Sequence, residues 1–236
     1  NRIRGSQRSW DDVLKALRNL ISVREKHRNK MSITTTTVIT RENYLEILDM
    51  VRMLIDIGVD QIGFLPVHDI GLDYNVDERS SEFMVRQDDD LDHLIDQLID
   101  MKHETGRIEN TVAYLRLFKQ AFRGKPLPIV CYAGYNTIAI DSWGDINPCF
   151  PKAEMRRSYA NIRKISLKDF WNSNISERMR KEASACRDCF WNNHTELNLM
   201  MSNKEVAAPT QYERKPFSVA IPASVEKHIP KSINID

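Results

Sequence analysis

Cysteine is scarce in this chain, and that scarcity limits the kind of protein the sequence can encode. Only 4 cysteines occur in 236 residues, which excludes the disulfide-dense scaffold of small secreted domains. The N-terminal segment NRIRGSQRSW is polar and charged and lacks the apolar core of a secretory signal peptide. We therefore expect a cytoplasmic protein with reduced thiols, and reduced thiols at short spacings favour metal binding.

A charge excess and long apolar runs are also missing. The formal net charge is +1 and hydrophobic residues make up 42% of the chain, a composition that favours neither a nucleic-acid partner nor an acidic membrane surface. No uninterrupted apolar run approaches the length of about 18 residues that spans a bilayer. An initiator methionine is absent too, which indicates that the chain is part of a longer one.

The first half carries alternating helix and strand patterns. Apolar residues recur at three- and four-residue spacing from Ser9, and the β-branched segment 31–40 predicts a strand. A second helix ends at Gly58 and precedes an apolar strand at 61–67. Two further helices follow, around residues 91–99 and 112–122. This order with short connections predicts an α/β fold with a parallel sheet and a right-handed crossover.

From residue 131 onward the predicted elements are short. The segments YNTIAID and DINPCF flank SWG and predict a β-hairpin in which Asp141 bonds nearby backbone amides. A short helix begins at Ser166 in a capping-box pattern and carries Ile175 on its apolar face. We interpret Met200 and Met201 as packing residues and the proline-containing segment after them as a surface tail.

The four cysteines occur as two pairs. Cys131 and Cys149 lie at the two ends of the predicted hairpin, which brings them together, and Cys186 and Cys189 form a CxxC motif. A CxxC turn directs two thiolates at one metal, although alone it also suits a redox dithiol. Four converging thiolates suit zinc or an iron–sulfur cluster, and a single CxxC motif favours the cluster over a zinc ribbon. In the simplest alternative, Cys131 and Cys149 are only buried apolar residues.

Several motifs resemble one known family. The pattern C-x12-G-x4-C from Cys131 through Gly144 to Cys149 resembles the opening of the SPASM/twitch extension of radical S-adenosylmethionine enzymes. GDINPC resembles that family's hairpin, YANI its small-residue–Asn step and SLKDFWNS its short helix before the last cysteines. RIRG, ITTTTVIT and IGFLP resemble the second half of its partial (β/α)6 barrel.

The resemblance implies a domain organisation within the α/β class. Residues 1–87 would form the second half of a partial TIM-type barrel, and residues 88–130 a helical connection. Residues 131–200 would form a small α+β twitch domain, a β-hairpin plus helix, and residues 201–236 a C-terminal tail.

The resemblance also implies cofactors and partners. No cysteine follows Cys189, so the shorter twitch version is implied, with one auxiliary 4Fe–4S cluster. The family's C-x3-C-x2-C loop is absent here, so S-adenosylmethionine and a second 4Fe–4S cluster are expected in the full-length enzyme. That enzyme would abstract a hydrogen atom from a small-molecule or peptide substrate and take electrons from a donor such as a flavodoxin or ferredoxin. The candidate metal ligands are Cys131, Cys149, Cys186 and Cys189, and the candidate cofactor contacts are Arg4, Thr37 and Leu65.

Other polar residues are weaker candidates. His68 and Asp69 follow a predicted strand and could act as an acid–base pair, although polar surface is the simpler interpretation. His194 and Glu196 follow the CxxC motif and could reach a substrate, although solvated loop residues are the simpler interpretation.

Two other kinds of protein remain open at this point. One is a non-catalytic module in which the four cysteines bind structural zinc. The other is a degenerate family member that retains the auxiliary cluster only for binding or electron transfer.

Overall fold

The computed structural model describes residues 5–28, 30–67, 83–85, 89–121, 127–150, 152, 158–187 and 190–202. Several sequence predictions concern residues outside these ranges: those for Arg4, for the pair His68 and Asp69, for Cys189, and for the C-terminal tail from residue 203 onward. No helix in the described ranges is long and apolar enough to cross a membrane.

The first half has the predicted alternation of helix and strand. Its elements are α1 (Ser9–Lys26), β1 (Thr34–Ile39), a 3-10 turn (Tyr44–Glu46), α2 (Ile47–Ile57) and β2 (Gln61–Pro66). The two strands pair in parallel, with Thr34 opposite Gln61 and Ile39 opposite Pro66. The α/β prediction is therefore confirmed.

Helix α2 packs on one face of this strand pair. Its buried residues Ile47, Val51 and Leu54 recur at helical spacing, and Gly58 closes the helix with a left-handed φ of 102°. On β1, exposed and more buried residues alternate, so Thr34, Thr36 and Val38 face away from the core. The described residues leave this second face of β1 open.

A third segment extends the parallel pairing beside β2. Ile62 pairs in parallel with Ile108, which follows helix α3 (Asp89–Thr105) and precedes helix α4 (Val112–Ala121). Beyond it, the side chain of the buried Asn110 continues the hydrogen bonding. Its Oδ1 accepts from the amide of Phe64 at 2.6 Å and its Nδ2 donates to the carbonyl of Phe64 at 3.1 Å. The edge of β2 is thus partly closed by a side chain.

The second half contains the predicted hairpin, a third strand beside it and several helices. Strands β3 (Ala139–Ile140), β4 (Asp145–Asn147) and β5 (Ala160–Asn161) form an antiparallel sheet in that order. Three helices follow, α5 (Leu167–Trp171), α6 (Asn174–Ala185) and α7 (Asn192–Met201). The hairpin and the helix capped by Ser166 are confirmed, whereas β5, α6 and α7 were not predicted.

Two predictions about these helices were wrong. The helix that begins after Ser166 ends at Trp171, and the Ser173 side chain caps a new helix by accepting from the amide of Ser176. Ile175 therefore belongs to α6 and is 37% exposed. Met200 and Met201 are more than half exposed rather than packed, because the buried positions of α7 are Thr195, Asn198 and Leu199.

An aromatic cluster joins the two halves. The ring of Tyr114 stacks on that of Phe190 at 4.5 Å, and the ring of Phe118 meets Phe190 edge-on at 4.9 Å. All three residues are buried in the main core. Phe190 directly follows Cys189 in the sequence, and this packing holds Phe190 against α4.

Candidate metal centre

The three cysteines that the structure describes, Cys131, Cys149 and Cys186, line one cavity of about 350 Å³. Cys149 is buried, and Cys131 and Cys186 are half-buried. The walls come from the hairpin region, α6 and α7. The other lining residues are Ala133, Pro148, Lys152, Ser158, Tyr159, Arg178, Glu182, Ala183 and His194.

Separate elements deliver the three thiols to this cavity. Cys149 follows β4 and packs against Ala133 and Ala183, in a cluster that Cys131 also joins. Cys186 is the residue at which α6 ends, and its amide donates to the carbonyl of Ala183 at 3.0 Å. The convergence that the sequence predicts is therefore present for these three residues, while their role as ligands stays a prediction.

The loop after Cys131 is held in place by α7. The amide of Tyr132 donates to Asn198 Oδ1 at 2.8 Å, and Thr137 Oγ1 lies 3.3 Å from His194 Nδ1. Burial lowers the pKa of His194, which favours the neutral imidazole. His194 is therefore a helical residue of the cavity wall, and its interpretation as a solvated loop residue was wrong.

The hairpin that separates Cys131 from Cys149 has a tightly bonded turn. Asp141 Oδ1 accepts from the amides of Trp143 and Asp145, each at 2.9 Å, which confirms the structural role predicted for it. Gly144 has a φ of 88°, and a β-carbon there would lie 3.0 Å from Ile162 and 3.1 Å from Asn161. Only glycine fits this position without strain, which explains its place between the two cysteines.

The ionisation of the Cys131 thiol depends on its burial and on its neighbours. Burial raises the pKa of the Cys131 thiol, and the nearby Cys186 raises it further. Neighbouring buried thiolates repel each other unless a positively charged centre shares their charge. Bound iron or zinc would supply that charge, and thiolates are their usual ligands in such sites.

The described side chains do not form a single-ion site by themselves. A single zinc ion needs all its sulfur ligands at about 2.3 Å from one centre. Among the described residues, no three Cys, His, Asp or Glu side chains are close enough to hold one metal ion. The three thiols line the same cavity of about 350 Å³.

The predicted cofactor contacts on the strands are not brought together. Thr37 Oγ1 lies 3.8 Å from Met50 Sδ, so its hydroxyl faces α2. Leu65 is opposite Val38, and neighbouring positions on a strand point to opposite faces. Leu65 therefore shares the open face of the sheet, and Thr37 lies on the covered face.

Glu196 has a structural position that the sequence did not suggest. Its carboxylate accepts from the amide of Thr111 at 2.9 Å and from the Thr111 hydroxyl at 2.8 Å, at the start of α4. Burial raises the pKa of Glu196 and lowers that of Lys102, whose Nζ donates to the carbonyl of Ile108 at 2.7 Å. Interpreting Glu196 as a solvated loop residue was wrong.

The cavity lining includes polar residues that sequence reasoning missed, among them Tyr159, Arg178 and Glu182. The hydroxyl of Tyr159 donates to the carboxylate of Glu182, and Arg178 Nε lies 3.9 Å from the same carboxylate. Burial, and then this hydrogen bond, raise the pKa of Tyr159 to about 12. The four-residue spacing of Arg178, Glu182 and Cys186 is visible in the sequence, but it becomes informative only once α6 is known to be a helix.

A family model and a curated relative match this chain. Residues 131–190 match SPASM, an iron–sulfur cluster-binding domain. The tungsten-containing aldehyde ferredoxin oxidoreductase cofactor-modifying protein of Pyrococcus furiosus is 24% identical over 175 residues, which are 66% of this chain and 44% of that protein. The chain thus spans less than half the length of this relative.

Solved structures with a similar arrangement include SuiB of Streptococcus suis, at 17% identity and a TM-score of 0.47 over 72% of this chain and 40% of SuiB. They also include anSMEcpe with bound AdoMet, at 14% identity and a TM-score of 0.45 over 70% of this chain and 45% of that chain.

Proposed function

We propose that this chain binds one auxiliary 4Fe–4S cluster. Residues 131–190 match the SPASM iron–sulfur cluster-binding domain, and the chain resembles the C-terminal portion of radical S-adenosylmethionine enzymes. The convergence of Cys131, Cys149 and Cys186 on one cavity is the observation that carries this proposal. The fourth ligand would be Cys189, three residues after Cys186 in the CxxC motif.

Such a cluster supplies one-electron transfer, with a potential that its surroundings adjust. The residues around the cavity have distinct roles in holding it. Asn198 fixes the backbone beside Cys131 through the amide of Tyr132. Ala133 and Ala183 pack beside Cys149 and leave space where larger side chains would fill the cavity. These contacts bury the side chain of Cys149.

The proposed domain organisation follows the family resemblance. Residues 1–87 would supply the second half of a partial barrel, residues 88–130 a helical connection and residues 131–200 the cluster domain. The open face of β1, with Thr34, Thr36 and Val38 exposed, supports this arrangement because a barrel interior must be lined by such a face. Leu65, on the same face, stays a candidate cofactor contact.

The reaction proposed for the full-length enzyme is hydrogen-atom abstraction from a peptide or small-molecule substrate. That reaction would require S-adenosylmethionine and a second 4Fe–4S cluster, and the C-x3-C-x2-C loop that holds this cluster in the family does not occur in this sequence. A flavodoxin or ferredoxin would be the electron donor. This proposal rests on the family resemblance of the SPASM segment.

Anaerobic reconstitution with iron and sulfide tests the cluster directly. We expect about four irons and four sulfides per chain, with the broad visible absorption of an iron–sulfur protein. Cys186→Ala should lower both contents. The control Ser184→Ala, which removes a hydroxyl bonded to the carbonyl of Lys181 on the same helix, should not. One tightly bound zinc ion without sulfide would overturn the proposal and leave a structural zinc module.

A further inference from the structure

The rim of the cysteine cavity carries two opposite charges on one row of α6. Arg178 and Glu182 both line the cavity, one helical turn apart, and Cys186 follows after one more turn. Residues at this spacing lie on one side of a helix. The two charges are therefore aligned with a predicted cluster ligand.

Tyr159 connects this charge pair to the opposite wall of the cavity. Its hydroxyl donates to Glu182, its ring lies 5.9 Å from the Arg178 guanidinium carbon, and Cys149 is near enough to act on its ionisation. The pair therefore lines the same cavity as the predicted ligands Cys149 and Cys186. Nothing in the proposed role of the cysteines requires charged residues at this rim.

We propose that Arg178 and Glu182 set the reduction potential of the auxiliary cluster by opposing electrostatic effects, an inference that rests on the proposed function. Reduction adds one electron and therefore one negative charge to the cluster. A neighbouring cation stabilises the reduced form and a neighbouring anion destabilises it, and such charges are a known determinant of cluster potentials. Arg178 raises the potential and Glu182 lowers it.

Helix α6 also carries a matched control pair. Glu177 and Lys181 have the same four-residue spacing and opposite charges and are exposed like Arg178 and Glu182, but neither lines the cavity. Neutralising one member of either pair changes the net charge of the chain by the same amount. Any difference between the pairs therefore reports proximity to the cavity rather than total charge.

The test is a redox titration of the reconstituted chain at low ionic strength, with electron paramagnetic resonance as the readout of the reduced cluster. Arg178→Gln should lower the midpoint potential and Glu182→Gln should raise it. Each should change the oxidised-to-reduced ratio at fixed potential at least roughly twofold, which is about 18 mV for one electron. Lys181→Gln and Glu177→Gln should leave the midpoint within experimental scatter. Arg178→Lys and Glu182→Asp keep the charge and should keep the original midpoint potential. Added salt should reduce the potential shifts of Arg178→Gln and Glu182→Gln.

The outcomes separate this inference from the proposal beneath it. Equal shifts from the control pair, or shifts of one sign from Arg178→Gln and Glu182→Gln, would overturn it while the cluster remains established. Unchanged potentials with full iron content in every variant would do the same. Failure of the unmodified chain to assemble a cluster would overturn the proposed function, and this inference with it.

Discussion

Arg180 Nε donates to the carbonyl oxygen of Gly134 at 2.9 Å, across the boundary between α6 and the loop that follows Cys131. The same guanidinium donates through Nη2 to the carbonyl of Trp171 at 3.0 Å. Its central carbon lies 4.8 Å from the ring of Trp171 and 5.3 Å from that of Tyr135. One side chain thus joins α5, α6 and the loop of the first cysteine.

Replacing Arg180 should destabilise the cluster domain. Arg180→Ala removes two charge-assisted hydrogen bonds and two cation–π contacts, and we expect a loss of about 2 kcal/mol in the free energy of unfolding. Arg180→Lys should recover only part of this, because an ammonium group lacks the planar fork that reaches both carbonyls. Denaturant unfolding measures the difference. The exposed Lys181→Ala variant should stay within about 0.5 kcal/mol of the original protein, and an equal loss there would contradict this assignment.

Gly134 should be irreplaceable for two independent reasons. Its φ is 85°, and a β-carbon there would lie 3.1 Å from Met179 Cε and 3.2 Å from Arg180 Cγ. We expect Gly134→Ala to cost about 2–3 kcal/mol, from backbone strain and crowding together. Gly106 has a φ of 65°, and a β-carbon there would have nothing within 4 Å, so Gly106→Ala reports the strain alone. Thermal unfolding of both variants separates the two causes, and identical losses would show that crowding contributes nothing.

Asn110 should stabilise the fold through its hydrogen bonds to the backbone of Phe64 rather than through its contact with α7. Asn110→Ala leaves the buried amide and carbonyl of Phe64 without this partner, at a cost of about 2–3 kcal/mol. Asn192→Ala removes only the 3.3 Å contact between the two asparagine side chains and should cost less than about 1 kcal/mol. Urea unfolding compares them. A larger loss from Asn192→Ala would place the important contact at α7 instead.

The ionisation of Glu196 should make the stability of the fold depend on pH. Burial raises the pKa of Glu196 above its ordinary value of 4.5, so the folded state binds this proton more tightly than the unfolded chain. The contribution of the protonated carboxyl to the free energy of unfolding is therefore fully present below pH 4.5. It is lost as the pH rises through the pKa that Glu196 has in the folded state. Glu196→Gln cannot ionise, so it should gain stability relative to the original protein over this interval.

Urea unfolding at several values from about pH 5 to pH 8 tests this assignment. The difference between the original protein and Glu196→Gln should change with pH. The exposed Glu104 of α3 provides the control, and Glu104→Gln should run parallel to the original protein. A constant difference for Glu196→Gln would show that its carboxyl has an ordinary pKa in the fold.

The elements that could be predicted from sequence are those whose apolar residues repeat regularly. Helix α2 buries Ile47, Val51 and Leu54 and ends at a glycine, so its pattern and its end are both local signals. The alternation of β1 and the hairpin around Gly144 are local in the same sense. Convergence of the cysteines followed from the hairpin, because antiparallel strands bring distant residues together.

Helix α7 shows why the remainder could not be predicted. Its buried positions include Thr195 and Asn198, so no apolar stripe marks it as a helix. The polar side chains of Asn198, His194 and Glu196 are partnered by residues distant in sequence, and such pairings have no local signature. The break between α5 and α6 could not be predicted for a different reason. The capping role of Ser173 becomes visible only when the turn after Trp171 is recognised.

The contacts of α7 have a consequence for the order of events during synthesis. All four cysteines precede residue 190, whereas Asn198, which holds the amide beside Cys131, follows it. A ribosome therefore releases every thiol before it releases the helix that fixes the first of them. The proposed cluster would therefore bind late in synthesis, after α7 has emerged, and a chain terminated at residue 190 would keep all four thiols while lacking α7 and the His194 side chain that lines the cavity.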